Sequence, residues 1–361
     1  MSTEGHPVAW WIWAIGVAAF ASFTTNPWLT VMVVLVACLV HQVCRSAQPW
    51  AEVFRIYLVV AAAVVVTRLL FRVLLGGGTA LYGDVHVVLD LPQVPLPDWM
   101  LGIQLFGPIT LESLLAGLYD GLRLAAIIVC IGAANSLANP KRLMRHLPAA
   151  LYEVGTAIVV AVNVLPQLAA SLRRVRRAQQ LRAGDDRRVG RLKRLVIPVL
   201  EDALDRSMTL AAGMDSRGYG RTGSASVSQR RIMTTLMLVG LGGICVGAYA
   251  SLDATVPGWL GIPMLLGGLA AIALALAFAG IGVTRSVYRP DPWRATDVSI
   301  ATSGVACGVL GWWVQHSQVA VAYPSLTVTP TISGAALLAI LLASVPALVV
   351  GLGRPAPVAT P

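Results

Sequence analysis

Long apolar runs, separated by short polar or Gly/Pro-rich connections, dominate the chain from Trp10 to Leu352. A helix needs about 20 apolar residues to cross a bilayer. Trp10–Phe23 and Trp28–Val43 are each short of that, and together they are too long for one crossing. The intervening Thr24-Thr25-Asn26-Pro27 predicts a tight helical hairpin, because a proline and the residue before it favour a turn. Val53–Leu75 and a stretch within Ile109–Ala138 supply two more spans, with the Gly/Pro-rich segment Gly76–Pro108 between them. Four further spans follow at Ile232–Ala250, Trp259–Val283, Val298–Val314 and Ile332–Leu352. The pattern predicts an all-α, polytopic integral membrane protein with about eight transmembrane helices.

Between the two groups, from Lys141 to Arg231, the chain is basic and helical in pattern. It has one long apolar run, Leu147–Leu172, interrupted by Glu153, Asn163 and Pro166. Both flanks of that run are strongly basic, so a single crossing would put one cluster on the wrong side of the membrane. The expectation is a helix that lies at the cytoplasmic interface or dips into it. The resulting division is 1–140 (N-terminal transmembrane helices), 141–231 (a cytoplasmic region of basic helices), 232–354 (C-terminal transmembrane helices) and a disordered tail, 355–361.

Composition sharpens this picture. Apolar residues make up 57% of the 361 positions and charged residues 12%, about half the share of a soluble domain. The net charge of +10 admits nucleic acid, anionic lipid or topology as its cause, and placement decides among them. Ten of the 27 basic residues fall between Arg173 and Arg194, and most of the others flank apolar runs. Arg45, Lys141, Arg142, Arg145, the Arg285–Arg294 connection and Arg354 then face one side, and the loops around Gly76–Pro108, Asp253 and Gln315–Pro330 carry no Lys or Arg. By the positive-inside rule both termini are cytoplasmic. No role for nucleic acid follows from this arrangement. Arg68 and Arg72, one helical turn apart near the outer end of the third span, read as snorkelling to the interface.

Catalytic chemistry is sparse. His6, His41, His86, His146 and His316 show no metal-ligand spacing, and the five cysteines form no Cys-x-x-Cys pair. Asp84, His86 and Asp90 lie close enough in the outer loop to suggest a cation, with a solvated loop as the plainer reading. There is no Walker A pattern, so ATP hydrolysis by that route is not expected here, nor is a cofactor. The last four spans lack acids, whereas an ion-coupled carrier needs charged groups at mid-membrane.

The informative region holds Ala178-Gln179-Gln180-Leu181-Arg182-Ala183-Gly184-Asp185, preceded by Arg173, Arg174, Arg176 and Arg177. A second helical stretch, opened by Pro198 and running from Val199 to about Met214, ends in Asp215-Ser216-Arg217-Gly218-Tyr219-Gly220-Arg221. In both, a helix delivers small residues and one arginine before a glycine ends it. Small side chains permit close approach to another protein, and an arginine fork can take a carboxylate bidentately. The candidate partner-docking residues are Ala178, Arg182 and Gly184 at the first site, and Ser216, Arg217, Gly218 and Tyr219 at the second.

These motifs resemble those of the T component of energy-coupling-factor (ECF) transporters, the family that includes the cobalt-transporter Q-type subunits. Thr25-Asn26-Pro27-Trp28 resembles the family's early turn. Asn139-Pro140-Lys141-Arg142-Leu143, with Leu147-Pro148, resembles the segment leading into its coupling region, and Tyr288-Arg289-Pro290-Asp291-Pro292-Trp293 a linker of some bacterial members. The two arginine sites occupy the places of the family's Ala-Arg-Gly motifs, although neither is literally Ala-Arg-Gly: Ala183 stands where the first would have glycine, and Ser216 where the second would have alanine. Four spans after the coupling region also exceed a typical member. The resemblance implies a non-catalytic subunit of the bacterial plasma membrane, with Arg182 and Arg217 contacting acidic residues of two cytoplasmic ABC-type ATPase subunits. It further implies a small substrate-binding membrane subunit as partner and a vitamin or transition-metal ion as cargo. The residues themselves leave two rivals: a membrane-embedded enzyme acting on lipid head groups, and an anchor that recruits a cytosolic partner.

Overall fold

A computed structural model describes residues 5–45, 52–74, 86–90, 92, 94–95, 104–146, 152–181, 188–218, 227–253, 255–257, 260–280, 291–326 and 328–352. Each of the eight expected spans is a helix: α1 (Pro7–Ser22), α2 (Pro27–Cys44), α3 (Phe54–Leu74), α4 (Leu111–Leu137), α8 (Val227–Leu252), α9 (Ile262–Gly280), α10 (Ala295–Ser317) and α12 (Gly334–Leu352). The remaining helices are α5 (Pro140–Leu143), α6 (Tyr152–Leu181), α7 (Arg188–Asp215) and α11 (Val319–Ala322). Among the described residues, seven helices are long and apolar enough to cross a membrane; α1 and α9 are shorter apolar helices, and the seventh long one is the 155–178 part of α6. The protein is an all-α, multi-pass membrane protein.

The helices form two compact units that interleave in sequence, 1–143 with 290–361, and 144–289. In the first, α1 packs on α4 and α10, α10 on α12, α12 on α2, and α2 back on α4, which closes a ring; α3 lies outside it against α4. The shared core contains Trp13, Val17, Phe20, Leu29, Val33, Val129 and Ile300. The outward faces are apolar too: Ile56, Val59, Val66, Leu70 and Phe71 of α3 are exposed, as a surface solvated by lipid requires. The two helices that close the ring, α10 and α12, come from the far end of the chain.

Without a hydrophobic drive between helices in lipid, close packing must hold them, and small residues permit it. A Cβ added at Gly16 of α1 would fall 2.0 Å from the Gly304 carbonyl oxygen of α10, and one at Gly304 would fall 2.3 Å from Trp13 Cα. The two backbones therefore touch. Trp13 Nε1 donates to the Ala343 carbonyl of α12 at 2.9 Å, so the buried indole also satisfies its one polar atom.

Polar clamps lock both ends of this ring. At one end, the Asp297 carboxylate in the first turn of α10 accepts from Arg294 N at 3.0 Å and from His6 N at 2.7 Å, which ties the start of α1 to the start of α10. At the other end, Asn26 is fully buried and uses its whole amide. Its Oδ1 caps α2 by accepting from Trp28 N at 3.1 Å, while Nδ2 donates to the carbonyls of Val321 at 3.0 Å and Thr331 at 2.8 Å. Thr24 Oγ1 and Thr25 N both donate to the Ala322 carbonyl at 2.9 Å. The last carbonyls of α11, which helix termination leaves without partners, are thus satisfied by the α1–α2 turn.

The segment between α3 and α4 is not wholly irregular. It contains β1 (Val87–Asp90), β2 (Val94–Pro95), β3 (Gln104–Leu105) and β4 (Pro108–Thr110), paired antiparallel as β1 with β4 and β2 with β3. Thr110 then caps α4 through Oγ1, accepting from Ser113 N at 3.1 Å.

In the second unit α6 pairs with α7, and α8 with α9. The α8–α9 contact is again backbone on backbone: a Cβ at Gly268 would lie 2.6 Å from the Gly240 carbonyl oxygen.

Candidate functional site

The first arginine motif begins on the last turn of α6 and the second closes α7. From Tyr152 onward, the apolar run expected to end at Leu172 and the arginine-rich stretch after it form one helix, α6, unbroken through Asn163 and Pro166; residues 147–151 lie outside the described residues. A proline in a long helix removes one backbone hydrogen bond and bends the helix without ending it. Pro198 likewise lies inside α7, which begins at Arg188, well before the start expected at Val199.

Side-chain contacts fix the direction of the pair. Ser171 of α6 donates through Oγ to Asp202 Oδ2 of α7 at 2.6 Å, and Arg206 Nη1 donates to Gln167 Oε1 at 3.5 Å. Farther along, Thr156, Val159 and Val160 share a groove of ≈ 680 Å³ with Thr209, Leu210, Gly213, Met214 and Arg217. Residue numbers fall along α6 as they rise along α7, so the helices are antiparallel. Their C-terminal ends consequently point to opposite sides of the Ser171–Asp202 crossing. At 1.5 Å per residue, roughly 15 Å separates Ser171 from Leu181, and about 20 Å separates Asp202 from Asp215.

At the end of α7 the helix closes tightly. Ser216 N still donates to Ala212 O at 3.0 Å, but Arg217 N donates to Met214 O at 3.1 Å and Gly218 N to Asp215 O at 2.9 Å. Gly218 takes φ +75°, a left-handed conformation that glycine reaches at no steric cost. Ser216, Arg217 and Gly218 are all exposed; Tyr219 lies outside the described residues. At the end of α6, Ala178 is exposed and Leu181 is 87% exposed, and Arg182, Ala183 and Gly184 lie outside the described residues. Arg173, Arg174, Arg176 and Arg177 are exposed on the same last turns.

At the crossing, Asp202 also accepts from Arg206 Nε at 3.0 Å, one helical turn on. The Ser171 hydroxyl, then the Arg206 guanidinium, hold the Asp202 carboxyl below the usual carboxylate range, with Arg174 adding a smaller charge effect. Burial opposes the shift. Sequence reasoning passed over this group, although Asp202 and Arg206 stand at i, i+4 spacing, a signal for a helix-face pair.

A family model described as CbiQ, cobalt transport protein, matches residues 5–224. The chain belongs to the CbiQ cobalt transport protein family. This is the ECF transporter T component family, so the protein is a membrane transport component. Compared with curated proteins, the chain finds no match. The CbiQ match spans α1 to α7 and includes both arginine motifs. It stops before α8, so α10 and α12, which complete the ring around α1 and α2, lie beyond it.

Other segments carrying the CbiQ resemblance have structural roles in the first unit. Arg142, in the Asn139–Leu143 segment, donates from Nε at 3.0 Å and Nη2 at 2.5 Å to Asp291 Oδ2. Asp291 belongs to the Tyr288–Trp293 linker, so two motifs far apart in sequence meet. Of the cation candidates between α3 and α4, Asp84 lies outside the described residues, and Asp90 sits in β1 opposite Pro108. His86 turns to Glu112: Nδ1 lies 3.0 Å from Oε1, and His86 N donates to both carboxylate oxygens at 3.3 Å. Arg72 reaches Asp120 of α4 at 3.7 Å. Arg123, unremarked in sequence, donates to the Ser22 carbonyl at the end of α1.

Proposed function

We propose that this chain is the transmembrane coupling subunit of an ATP-driven importer. Two cytoplasmic ABC-type ATPase subunits dock on the ends of α6 and α7, and a small substrate-binding membrane subunit delivers a vitamin or transition-metal ion. The observation that carries the reading is the antiparallel α6–α7 pair, whose two motif ends lie on opposite sides of one crossing. A pair of identical or similar ATPases needs two matched sockets held apart by a stiff element, and this arrangement has that form. Arg182 and Arg217 each take a carboxylate in an ATPase groove, with Ala178, Gly184, Ser216, Gly218 and Tyr219 keeping the approach close. A charge-assisted hydrogen bond of this type contributes about 1.5–3 kcal/mol once desolvated. Closure of the ATPases on ATP moves both helix ends, and the membrane helices tilt or release the substrate-binding subunit.

In this reading the protein lies in a bacterial plasma membrane with both termini cytoplasmic. The 141–231 region is cytoplasmic, and α6 rests at the interface because both its flanks are basic. The test is a detergent pull-down of the tagged chain expressed with its genomic neighbours. Wild type should recover two nucleotide-binding subunits, and the Arg182→Glu/Arg217→Glu double variant should lose them. Wild type without any ATPase removes the coupling role and returns the basic segment to lipid contact or topology.

A further inference from the structure

We propose that Ser171, Asp202, Arg206 and Gln167 form the pivot that fixes how α6 crosses α7, and that this pivot, rather than the docking ends, sets the efficiency of transmission between ATPase and membrane. The inference rests on the coupling role given above and adds positioning residues to it.

A solvent-exposed Asp–Arg pair on one helix does little by itself. What sets this one apart is the hydroxyl across the interface. Ser171 is 3% exposed, and its Oγ donates to Asp202 at 2.6 Å; a mid-helix serine ordinarily turns back to its own helix. Asp202 is then held from both helices, by Ser171 through one oxygen and by Arg206 through the other, and Arg206 reaches back to Gln167 of α6. Each helix thus contributes two members to one connected network, which sets rotation and crossing angle together. Beyond the crossing, along the arm that bears Arg217, the two helices line a groove with Val159, Val160, Leu210 and Met214. A swing of about 10° at the pivot moves the end of a 20 Å arm by roughly 3.5 Å, more than any hydrogen bond tolerates.

The test uses the full chain in lipid nanodiscs and, separately, the assembled transporter. Spin labels on Val162→Cys and Ala211→Cys, two exposed positions on the same side of the crossing, in a cysteine-free version that retains uptake, report the α6–α7 distance without any ATPase present. The expected result is a narrow distribution that broadens in Ser171→Ala and Asp202→Leu, with Asp202→Asn, which keeps an acceptor for Ser171, in between. In the assembled transporter the same order should hold for cargo imported per ATP hydrolysed, falling about tenfold in Asp202→Leu while the ATPases still co-purify. An unchanged distance distribution in Asp202→Leu overturns the pivot. A broadened distribution with unchanged uptake per ATP overturns its link to transmission. Wild type that recovers no ATPase overturns the coupling role instead, and the distance measurement still decides whether the crossing depends on these four residues.

Discussion

Asn26 offers a sharp test of how the ring in the first unit is closed. As the N-cap of α2, it falls in the class where aspartate and asparagine serve equally well. As a clamp, it needs two amide hydrogens aimed at Val321 and Thr331 carbonyls, which aspartate lacks. The two roles therefore predict opposite orders for substitution. Asn26→Ala loses the cap, about 1 kcal/mol, and two hydrogen bonds of about 0.5–1.5 kcal/mol each, giving a total of roughly 2–4 kcal/mol. Asn26→Asp keeps the Trp28 cap but places a buried carboxylate about 3 Å from two carbonyl oxygens, an unpaired charge costing about 3–5 kcal/mol. The expected order is wild type, then Ala, then Asp. The assay is reversible unfolding in mixed micelles against denaturing detergent, followed by Trp fluorescence. Acid should partly rescue the Asp variant, because a protonated carboxyl can donate to one of the carbonyls. An Asp variant within about 0.5 kcal/mol of wild type would show that Asn26 is only a cap and that α10–α12 is held by other contacts.

The backbone contact between α1 and α10 predicts that Gly304→Val lowers stability by at least about 1–3 kcal/mol, because its Cβ would stand 2.3 Å from Trp13 Cα; the same unfolding assay reads it, and Gly242→Val, where nothing lies within 4 Å, serves as the control. The crossing of α6 and α7 should respond to acid in one direction only. Asp202, faced by Ser171 and Arg174 from α6 and by Arg206 on its own helix, has its pKa lowered in the folded protein. Its contribution is therefore present above its unfolded value of 3.8 and lost as pH falls through the lower folded value. The α6–α7 label distance should be constant from pH 8 to pH 5 and broaden only below about pH 4; broadening near pH 6 would assign the effect to another group.

The spans were legible because lipid selects for apolar length, and each of the eight apolar runs became one helix. Which helices would pack together was not legible in the same way. In a water-soluble bundle the apolar stripe marks the core, but in a bilayer the lipid-facing residues are apolar too. Leu70 of α3 and Leu29 of α2 read alike in sequence, and one is 52% exposed while the other is fully buried. Residue size carries the information that hydropathy lacks. Gly304, Gly308 and Gly311 on α10 are spaced by four and three, one face of a helix, and that face meets Gly16 and Phe20 of α1. The helix stop at the end of α7 was readable for a different reason: a glycine in the left-handed conformation closes a helix locally, and Gly218 takes φ +75°.

The polar residues divide along the same line. Asp297, Asn26 and Asp202 each take partners from segments distant in sequence, so local pattern gives each only half its role: first-turn acid, N-cap, helix-face pair. The missing half comes from the tertiary partner, and in each case that partner is a backbone group or hydroxyl with no sequence signature of its own. Two of the three join the N-terminal helices to α10, α11 and the approach to α12, the part of the chain that lies beyond the family match. Those late helices are consequently not a loose addition. They satisfy the turn formed by Thr24, Thr25 and Asn26 and the start of α1 at His6, so removing them would take away these tertiary hydrogen bonds, each worth about 0.5–1.5 kcal/mol, and expose the packed faces of α1 and α2.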